Sequence, residues 1–350
     1  MRILVATDTW LPHVNGVVRT LTAVASGLER LGVDVVFLTP KDMPAGALPG
    51  PRRIAARIAE LKPDAIHIAT EGPIGLAARW YCRSRGRPFT TSVHTRLAEY
   101  AAARWSIPPR LGWSFLRWFH NAGRGTMATT EALATELAAR GFKRVQRWPR
   151  GVDTNLFRPQ LNASLGLLRP IFLTVGRLTH DKNLAAFLAL DLPGSKVVVG
   201  EGPARDELAR RFPNAIFLGT KHGGDLARTY AAADVLVFPS RADTCGHALL
   251  EALACGTPIA GFPVTATREA AGGAPVAALD EDLRAACLHA LALSRTACRA
   301  HAETMSAEAS ARAFLDNVER AGMAPHPAPA LVPAADAARA KRKRAAPAIS

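Results

Sequence analysis

The sequence predicts an α/β protein built on two doubly wound parallel sheets, and three observations carry that expectation. Short β-branched runs alternate with amphipathic helical stretches along the chain, and such alternation forces parallel pairing through right-handed crossovers. The alternation comes as two series, each of five or more strands. A segment punctuated by Pro and Gly, Trp148-Pro149-Arg150-Gly151-Val152-Asp153, separates them and reads as a hinge. At 350 residues the chain can hold two domains, each with its own core. Residues 1–150 are expected to form one Rossmann-like domain and 151–321 a second, facing it across a cleft.

In the first series the expected strands are Arg2–Ala6, Val35–Leu38, Ala65–Ile68, Phe89–Val93 and Thr126–Thr129. Helical patterns over Val17–Leu31, Pro73–Arg85 and Ala132–Arg140 lie between them. In the second series the strands are Ile171–Val175, Lys196–Val199, Ala215–Leu218, Asp234–Phe238 and Pro258–Gly261, with helices over Leu184–Leu190, Ala204–Arg211, Leu226–Ala232 and His247–Ala254. Beyond Asp280 the pattern is wholly helical, at Leu283–Ser294 and Ala307–Arg320. Residues 322–350 form a Pro/Ala-rich basic tail expected to be disordered; its Lys341-Arg342-Lys343-Arg344 cluster reads as a phosphate contact or a solvated end.

Composition narrows the function class. No run approaches the roughly 18 to 20 apolar residues that span a bilayer, and the N-terminus reads as a strand rather than a secretory signal. Five scattered cysteines without a CxxC pair argue for reduced thiols in the cytoplasm, against zinc or a disulfide framework. The net charge of +15 is uneven: residues 1–150 hold 22 Lys and Arg against 10 Asp and Glu, whereas residues 151–321 hold 17 against 18. The first half therefore suits an anionic phospholipid surface, a phosphorylated acceptor or nucleic acid, unless its arginines are simply solvated.

Three segments of the second half carry chemistry, all at the carboxyl ends of strands, where doubly wound sheets bind ligands. The first is Gly176-Arg177-Leu178-Thr179-His180-Asp181-Lys182. There Gly permits a sharp turn, and Arg177 and Lys182 can clamp one anion from two sides. The second is Gly200-Glu201-Gly202, either a close backbone approach to a ligand or a tight βα turn. The third runs from Pro239 to Pro258, with Asp243 in a loop, free N–H groups at a helix start near Gly246, and Glu251 on the second turn of that helix. Glu251 is followed by Ala-Leu-Ala-Cys-Gly-Thr-Pro, an apolar setting in which an unpaired carboxylate is costly.

That third segment resembles the donor-site signature of retaining glycosyltransferases of GT-B architecture, the group 1 or family-four set. The likeness extends over roughly residues 1–300 and includes Pro12-His13-Val14-Asn15-Gly16-Val17-Val18-Arg19, Thr91-Ser92-Val93-His94-Thr95-Arg96 and Arg150-Gly151-Val152-Asp153. Bacterial lipid-directed mannosyl-, glucosyl- and sulfoquinovosyl-transferases are nearest in appearance. The resemblance implies a nucleotide-sugar donor, UDP- or GDP-linked. Arg177 and Lys182 would stabilise its leaving diphosphate and Glu251 would bind its ribose. Asp243 would contact the hexose, the N–H groups from Thr244 through Cys245 and Gly246 to His247 would line it, and His94 would reach it. Gly16 would approach the diphosphate from the first domain, with Gly176 and Gly202 on the donor side. The sequence departs from the pattern at Asp243, where the family usually has Glu, and at Cys245 and His247, where aromatic or aliphatic residues are usual. No metal or other cofactor is expected: two basic side chains do the neutralising, and no Asp-x-Asp is read at a strand end. A non-catalytic sugar-nucleotide-binding protein is the alternative those departures leave open.

On the acceptor side, residues 100–124 interleave Trp105, Trp113 and Trp118 with Arg104, Arg110 and Arg117. This pattern suits an anionic bilayer interface, or else packs its aromatics into the core with the arginines solvated. The first alternative gives a glycerolipid acceptor and a cytoplasmic protein peripheral to the inner face of the membrane; the other leaves a soluble sugar or polysaccharide acceptor. No nucleic acid partner is expected, since no recognition motif is evident.

Overall fold

The computed structural model describes residues 1–11, 15–42, 50–94, 97–98, 107–241 and 246–323. Among them are two six-stranded parallel sheets. The first contains β1 (Arg2–Ala6), β2 (Asp34–Leu38), β3 (Ala65–Ile68), β4 (Thr90–Val93), β5 (Gly125–Ala128) and β6 (Val145–Arg147), in the order β2-β1-β3-β4-β5-β6. The second contains β7 (Ile171–Val175), β8 (Ser195–Val199), β9 (Ile216–Phe217), β10 (Val235–Phe238), β11 (Ile259–Gly261) and β12 (Ala277–Leu279), ordered β12-β11-β10-β7-β8-β9. The strand order of each sheet reverses once, between β1 and β3 and between β7 and β10, and crevices open at such points beyond the strand ends.

Both faces of each sheet are covered, so the central strands are buried and their residues alternate between two cores. On β1, Ile3 and Val5 enter a cluster with Leu21, Leu28, Phe314 and Val318, while Leu4 and Ala6 join Ile54, Ile58, Ile74 and Phe119. On β7 and β8, Leu173 and Val197 pack toward Leu226, Tyr230 and Leu253, whereas Phe172 and Val198 pack toward Phe187, Leu208 and Cys287. Five expected elements form as read: Arg2–Ala6, Ala65–Ile68, Ile171–Val175, His247–Ala254 and Ala307–Arg320. The strands β6 and β12 and the helices Pro51–Leu61, Thr265–Ala271 and Arg295–Thr304 are additional.

One element belongs elsewhere than its place in the chain suggests. The helix Ala307–Arg320, expected with the second domain, packs on the first sheet through Ala311, Phe314 and Val318. It lies so close to the helix Gly16–Arg30 that a Cβ on Gly27 would come 2.6 Å from the Ala311 Cβ and 2.7 Å from the Ala307 carbonyl. The chain therefore crosses between the units twice, and the crossings run side by side. Val152 forms a parallel bridge with Ser306, Val152 N donates to Met305 O (3.0 Å) and Ala307 N donates to Val152 O (2.8 Å). Fully buried Trp148 donates its indole N–H to Ser310 Oγ (3.1 Å), which pins the hinge. Phe314→Ala should consequently destabilise the first unit by about 3–5 kcal/mol, the cost of an emptied aromatic site. Denaturant unfolding measures this, and a loss under about 1 kcal/mol would mean the returning helix is peripheral.

Candidate functional site

The site grows from the loops at the switch point of the second sheet. After β7 the chain turns through Gly176 and Arg177 into a short 3-10 turn, His180–Lys182, closed by Asn183 in a left-handed conformation (φ 54°). The Asn183 side chain donates to Pro239 O (3.1 Å), tying this loop to the one after β10. The loop after β8 is zipped onto it by Gly176 N→Val199 O (3.0 Å), Leu178 N→Glu201 O (2.9 Å) and Ala204 N→Leu178 O (3.0 Å). Glycine is required for that approach. A Cβ on Gly200 (φ +136°) would stand 1.8 Å from Gly176 O, and one on Gly202 2.3 Å from Leu178 O. The Gly-x-Gly thus brings one loop against another; Gly200 lines the cleft, and Gly202 sits behind it, outside the lining residues.

Glu251 projects into the cleft from the second turn of His247–Ala254. Its Oε2 accepts a hydrogen bond from Tyr230 Oη (2.9 Å), and its Oε1 is 3.6 Å from Arg19 Nη1 of the first unit. Burial pushes the carboxyl up from its ordinary pKa while Arg19 and Tyr230 pull it back down. His247, at the first position of the same helix, reaches across with Nε2 3.2 Å from Thr20 Oγ1. Burial, then the cations Arg150 and Arg19, push its pKa down to about 3, so the ring is neutral. On the first unit Asn15 caps the helix Gly16–Arg30, accepting from Val17 N and Val18 N (3.0 Å each), which aims that helix start at the cleft. A third tie, Ala132 N→Glu269 Oε1 (3.2 Å), joins the units elsewhere.

The resulting cleft holds about 660 Å³, within the range of pre-formed ligand sites. Gly16, Gly176, Arg177, Lys182, His247 and Glu251 all line it, from both sheets. Lys182 lies 4.0 Å from the Asp181 carboxylate, whose pKa is lowered by a hydrogen bond from Thr179 and by Lys182 and Arg177. Asp243, Thr244 and Cys245 lie outside the described residues, and Gly246 stands at the helix start just off the lining. His94 follows β4 directly and lies outside the cleft's lining residues, its ring edge-on to Trp148 with centroids 5.6 Å apart. Burial first, then Arg150 and His247, hold its pKa at about 3. Sequence reasoning gave no role to Arg19, Thr20 or Tyr230. Arg19 stands inside the Pro12–Arg19 segment, whereas nothing local marks Tyr230, which meets Glu251 only through the fold.

Two expectations need correction. The run Asp280-Glu281-Asp282 is an Asp-x-Asp at a strand end, since it follows β12. Its carboxylates are engaged locally: Asp282 caps Leu283–Ala290, Asp280 accepts from Asp282 N, and Glu281 pairs with Arg241 (2.8 Å). Trp113 is buried against Phe142 with Arg140 over its face (4.1 Å), so it belongs to the core and not to an interface. Arg117 is exposed but occupied by Arg140 O and Ser114 Oγ. Trp118 is 54% exposed beneath the Arg79 guanidinium (3.6 Å), Arg110 is exposed, and Arg104 and Trp105 lie outside the described residues. The neighbouring helix Pro73–Ser84 adds an unforeseen outward stripe of Leu76, Trp80 and Arg83, with Trp80 51% exposed.

Two facing doubly wound units with a crevice between their strand ends have the GT-B architecture. Comparisons with known proteins agree. Residues 14–156 match glycosyltransferase family 4 and residues 169–293 match the group 1 glycosyl transferases. A GDP-mannose-dependent α-mannosyltransferase of Mycolicibacterium smegmatis is 30% identical over 298 residues, covering 74% of this chain and 79% of that protein. The sulfoquinovosyl transferase of Arabidopsis thaliana is 31% identical over 64% of this chain and 46% of its own length. An α-monoglucosyldiacylglycerol synthase of Streptococcus pneumoniae is 27% identical over 74% and 70%. Among solved structures, Anabaena HepE with UDP-glucose superposes with a TM-score of 0.66 at 15% identity, over 91% of this chain and 99% of its own. The chain belongs to the group 1, family-four glycosyltransferases, and it uses a nucleotide sugar.

The neutral histidines predict a pH response. Rings held near 3 in the fold titrate near 6.5 once released, so the unfolded chain takes up protons first as pH falls. The stability supplied by His94 and His247 is complete above about pH 6.5 and drains away toward pH 3, each ring adding up to about 1.4 kcal/mol per pH unit to the slope. Urea unfolding of wild type and His247→Asn at pH 7, 6 and 5 checks this. An unchanged slope in the variant would refute it.

Proposed function

We propose that the protein is a retaining hexosyltransferase that moves a hexose from a UDP- or GDP-linked donor to a membrane glycerolipid without a metal ion. The observation that carries this reading is the shared crevice, where Arg177 and Lys182 of the loop after β7 and Glu251 of the helix His247–Ala254 meet Gly16 and Arg19 of the other unit. Arg177 and Lys182 take the negative charge that develops on the diphosphate as the glycosidic bond breaks. Glu251 turns from Tyr230 and Arg19 to the ribose hydroxyls. Asp243, His94 and the N–H groups at the start of His247–Ala254 address the hexose. The acceptor hydroxyl attacks the anomeric carbon on the face the diphosphate leaves, and a departing phosphate oxygen takes its proton, so no protein nucleophile is required.

The lipid acceptor is favoured by the two outer helices of the first unit. Leu76 and Trp80 on Pro73–Ser84, and Leu111 and Trp118 on Pro109–His120, are exposed beside Arg79, Arg83 and Arg110. Aromatic rings at headgroup depth, flanked by guanidinium groups, bind an anionic leaflet. The glucosyldiacylglycerol synthase relative bears a lipid in its name. No helix among the described residues is long and apolar enough to cross a membrane.

Two experiments test the two halves of this proposal. Arg177→Ala and Lys182→Ala should each lower kcat by about 10²–10³-fold in a transfer assay, as loss of a transition-state donor does. Glu251→Gln should mainly raise the donor KM, and absence of any thermal shift with millimolar UDP- or GDP-sugars would defeat the donor assignment. Trp80→Ala and Trp118→Ala should each weaken co-sedimentation with phosphatidylglycerol vesicles by about fivefold, with further loss at high salt. Equal binding to uncharged phosphatidylcholine, or unaltered binding by both variants, would point to a soluble acceptor.

A further inference from the structure

Behind the cleft, β3 and β4 hold a chain of polar side chains that the transfer reaction has not yet used. His67, fully buried on β3, is 2.9 Å from Thr90 Oγ1 through Nδ1 and 3.0 Å from Ser92 Oγ through Nε2. The same Ser92 oxygen is 2.8 Å from Nε2 of His94. Parallel pairing places His67 opposite Thr90, and Trp148 walls both imidazoles edge-on, with Phe314 completing the wall against His67. Neither ring is protonated to a cation here: burial pushes both below the ordinary histidine value, helped by His94 and His120 at His67 and by Arg150, His247 and His120 at His94.

A serine hydroxyl owns one proton, and in this place two Nε2 atoms flank it. Ser92 can donate to only one of them and must accept from the other. Two protonated Nε2 atoms would leave the serine proton without an acceptor, and two bare ones would leave a buried lone pair without a donor. Because each neutral ring carries one proton, the choice is coupled. If His67 is protonated on Nε2, Ser92 donates to His94, whose proton is then on Nδ1. If His67 is protonated on Nδ1, His94 donates from Nε2 and its Nδ1 is bare.

We infer that Ser92, backed by His67, is a positioning residue that ties the protonated ring nitrogen of His94 to the opposite choice in His67. That choice sets whether Nδ1 offers the transferred sugar a donor or an acceptor. The consequence for transfer rests on the contact between His94 and the hexose proposed above; the lock itself does not. His94 can then change the polarity it shows a sugar hydroxyl only if His67 changes with it.

Long-range ¹H–¹⁵N correlation of the imidazoles in the full chain tests this, with His67→Gln and His94→Gln used to assign the signals. In the wild type, His67 and His94 should each show one tautomer, and the two should be of opposite kind. In Ser92→Ala the His94 signals should move to the intermediate positions of an averaging ring, while Ser92→Thr, which keeps a hydroxyl, should hold the wild-type pattern. Steady-state assays should show kcat falling roughly two- to tenfold in Ser92→Ala at unchanged donor KM, and recovering in Ser92→Thr. The same tautomer in both rings, or a His94 tautomer indifferent to Ser92→Ala, overturns the lock whatever the activity. A changed tautomer with kcat intact overturns its catalytic use together with the His94–hexose contact, and leaves the donor assignment of Arg177, Lys182 and Glu251 standing.

Discussion

A carboxylate shared between two halves of the molecule is the constraint around which the site is arranged. Glu251 is buried on an apolar helix, where an unpaired charge would cost several kcal/mol. The fold meets that cost with one group from each side: Tyr230 Oη at 2.9 Å from its own unit and Arg19 at 3.6 Å from the other. Neither partner alone would suffice. The phenol gives one hydrogen bond, and the guanidinium, partly open to water, gives a screened attraction. Closure of the cleft and ionisation of Glu251 therefore depend on each other, and a ligand with hydroxyls to offer the carboxylate can replace Arg19 without stranding the charge.

The same dependence accounts for how the units are joined. A single flexible linker would let Arg19 drift from Glu251 by many ångströms. Instead two chain segments cross side by side, with Val152 bridged to Ser306 and Trp148 bonded to Ser310. A paired crossing restricts the relative motion of the units more than one strand of chain would, and the contacts His247–Thr20 and Glu269–Ala132 join them away from it. His247 and His94 sit at this boundary as neutral rings because burial and nearby cations both disfavour their charged forms.

Much of this was legible in the sequence where local chemistry decides structure. The loop after β7 announced itself through Gly176, Arg177 and Lys182, and the helix His247–Ala254 through its apolar run around Glu251. What escaped was decided elsewhere in the chain. β6 is Val-Gln-Arg at a sheet edge, and β12 is Ala-Ala-Leu, so neither carries the β-branched run that marks a strand. Trp113 and Trp118 look alike in a list of residues, yet five positions on a helix turn them to opposite faces, one onto Phe142 and one outward. The helix Ala307–Arg320 shows a clean amphipathic period, but period says only that a face is buried. That the face meets Leu21 and Leu28, nearly three hundred residues earlier, is a property of the packed whole.

The polar interior of the first sheet has a physical rationale of its own. A parallel strand buried on both faces is ordinarily Val, Ile and Leu, yet β4 is Thr-Thr-Ser-Val, and Thr90, Thr91 and Ser92 are all fully buried. Each hydroxyl is matched to an imidazole: Thr90 and Ser92 to His67 on one face, Thr91 to His120 at 2.8 Å on the other. His120 in turn meets Glu71 (3.2 Å) at the end of β3. Aliphatic residues there would pack at least as well and would cost less to desolvate. Hydroxyls and imidazoles add direction, because a hydrogen bond fixes the rotation of a ring that van der Waals packing alone leaves free to flip. A strand that leads directly into a histidine behind the cleft has use for that rigidity, since the orientation of the ring, more than its presence, determines what it can hold.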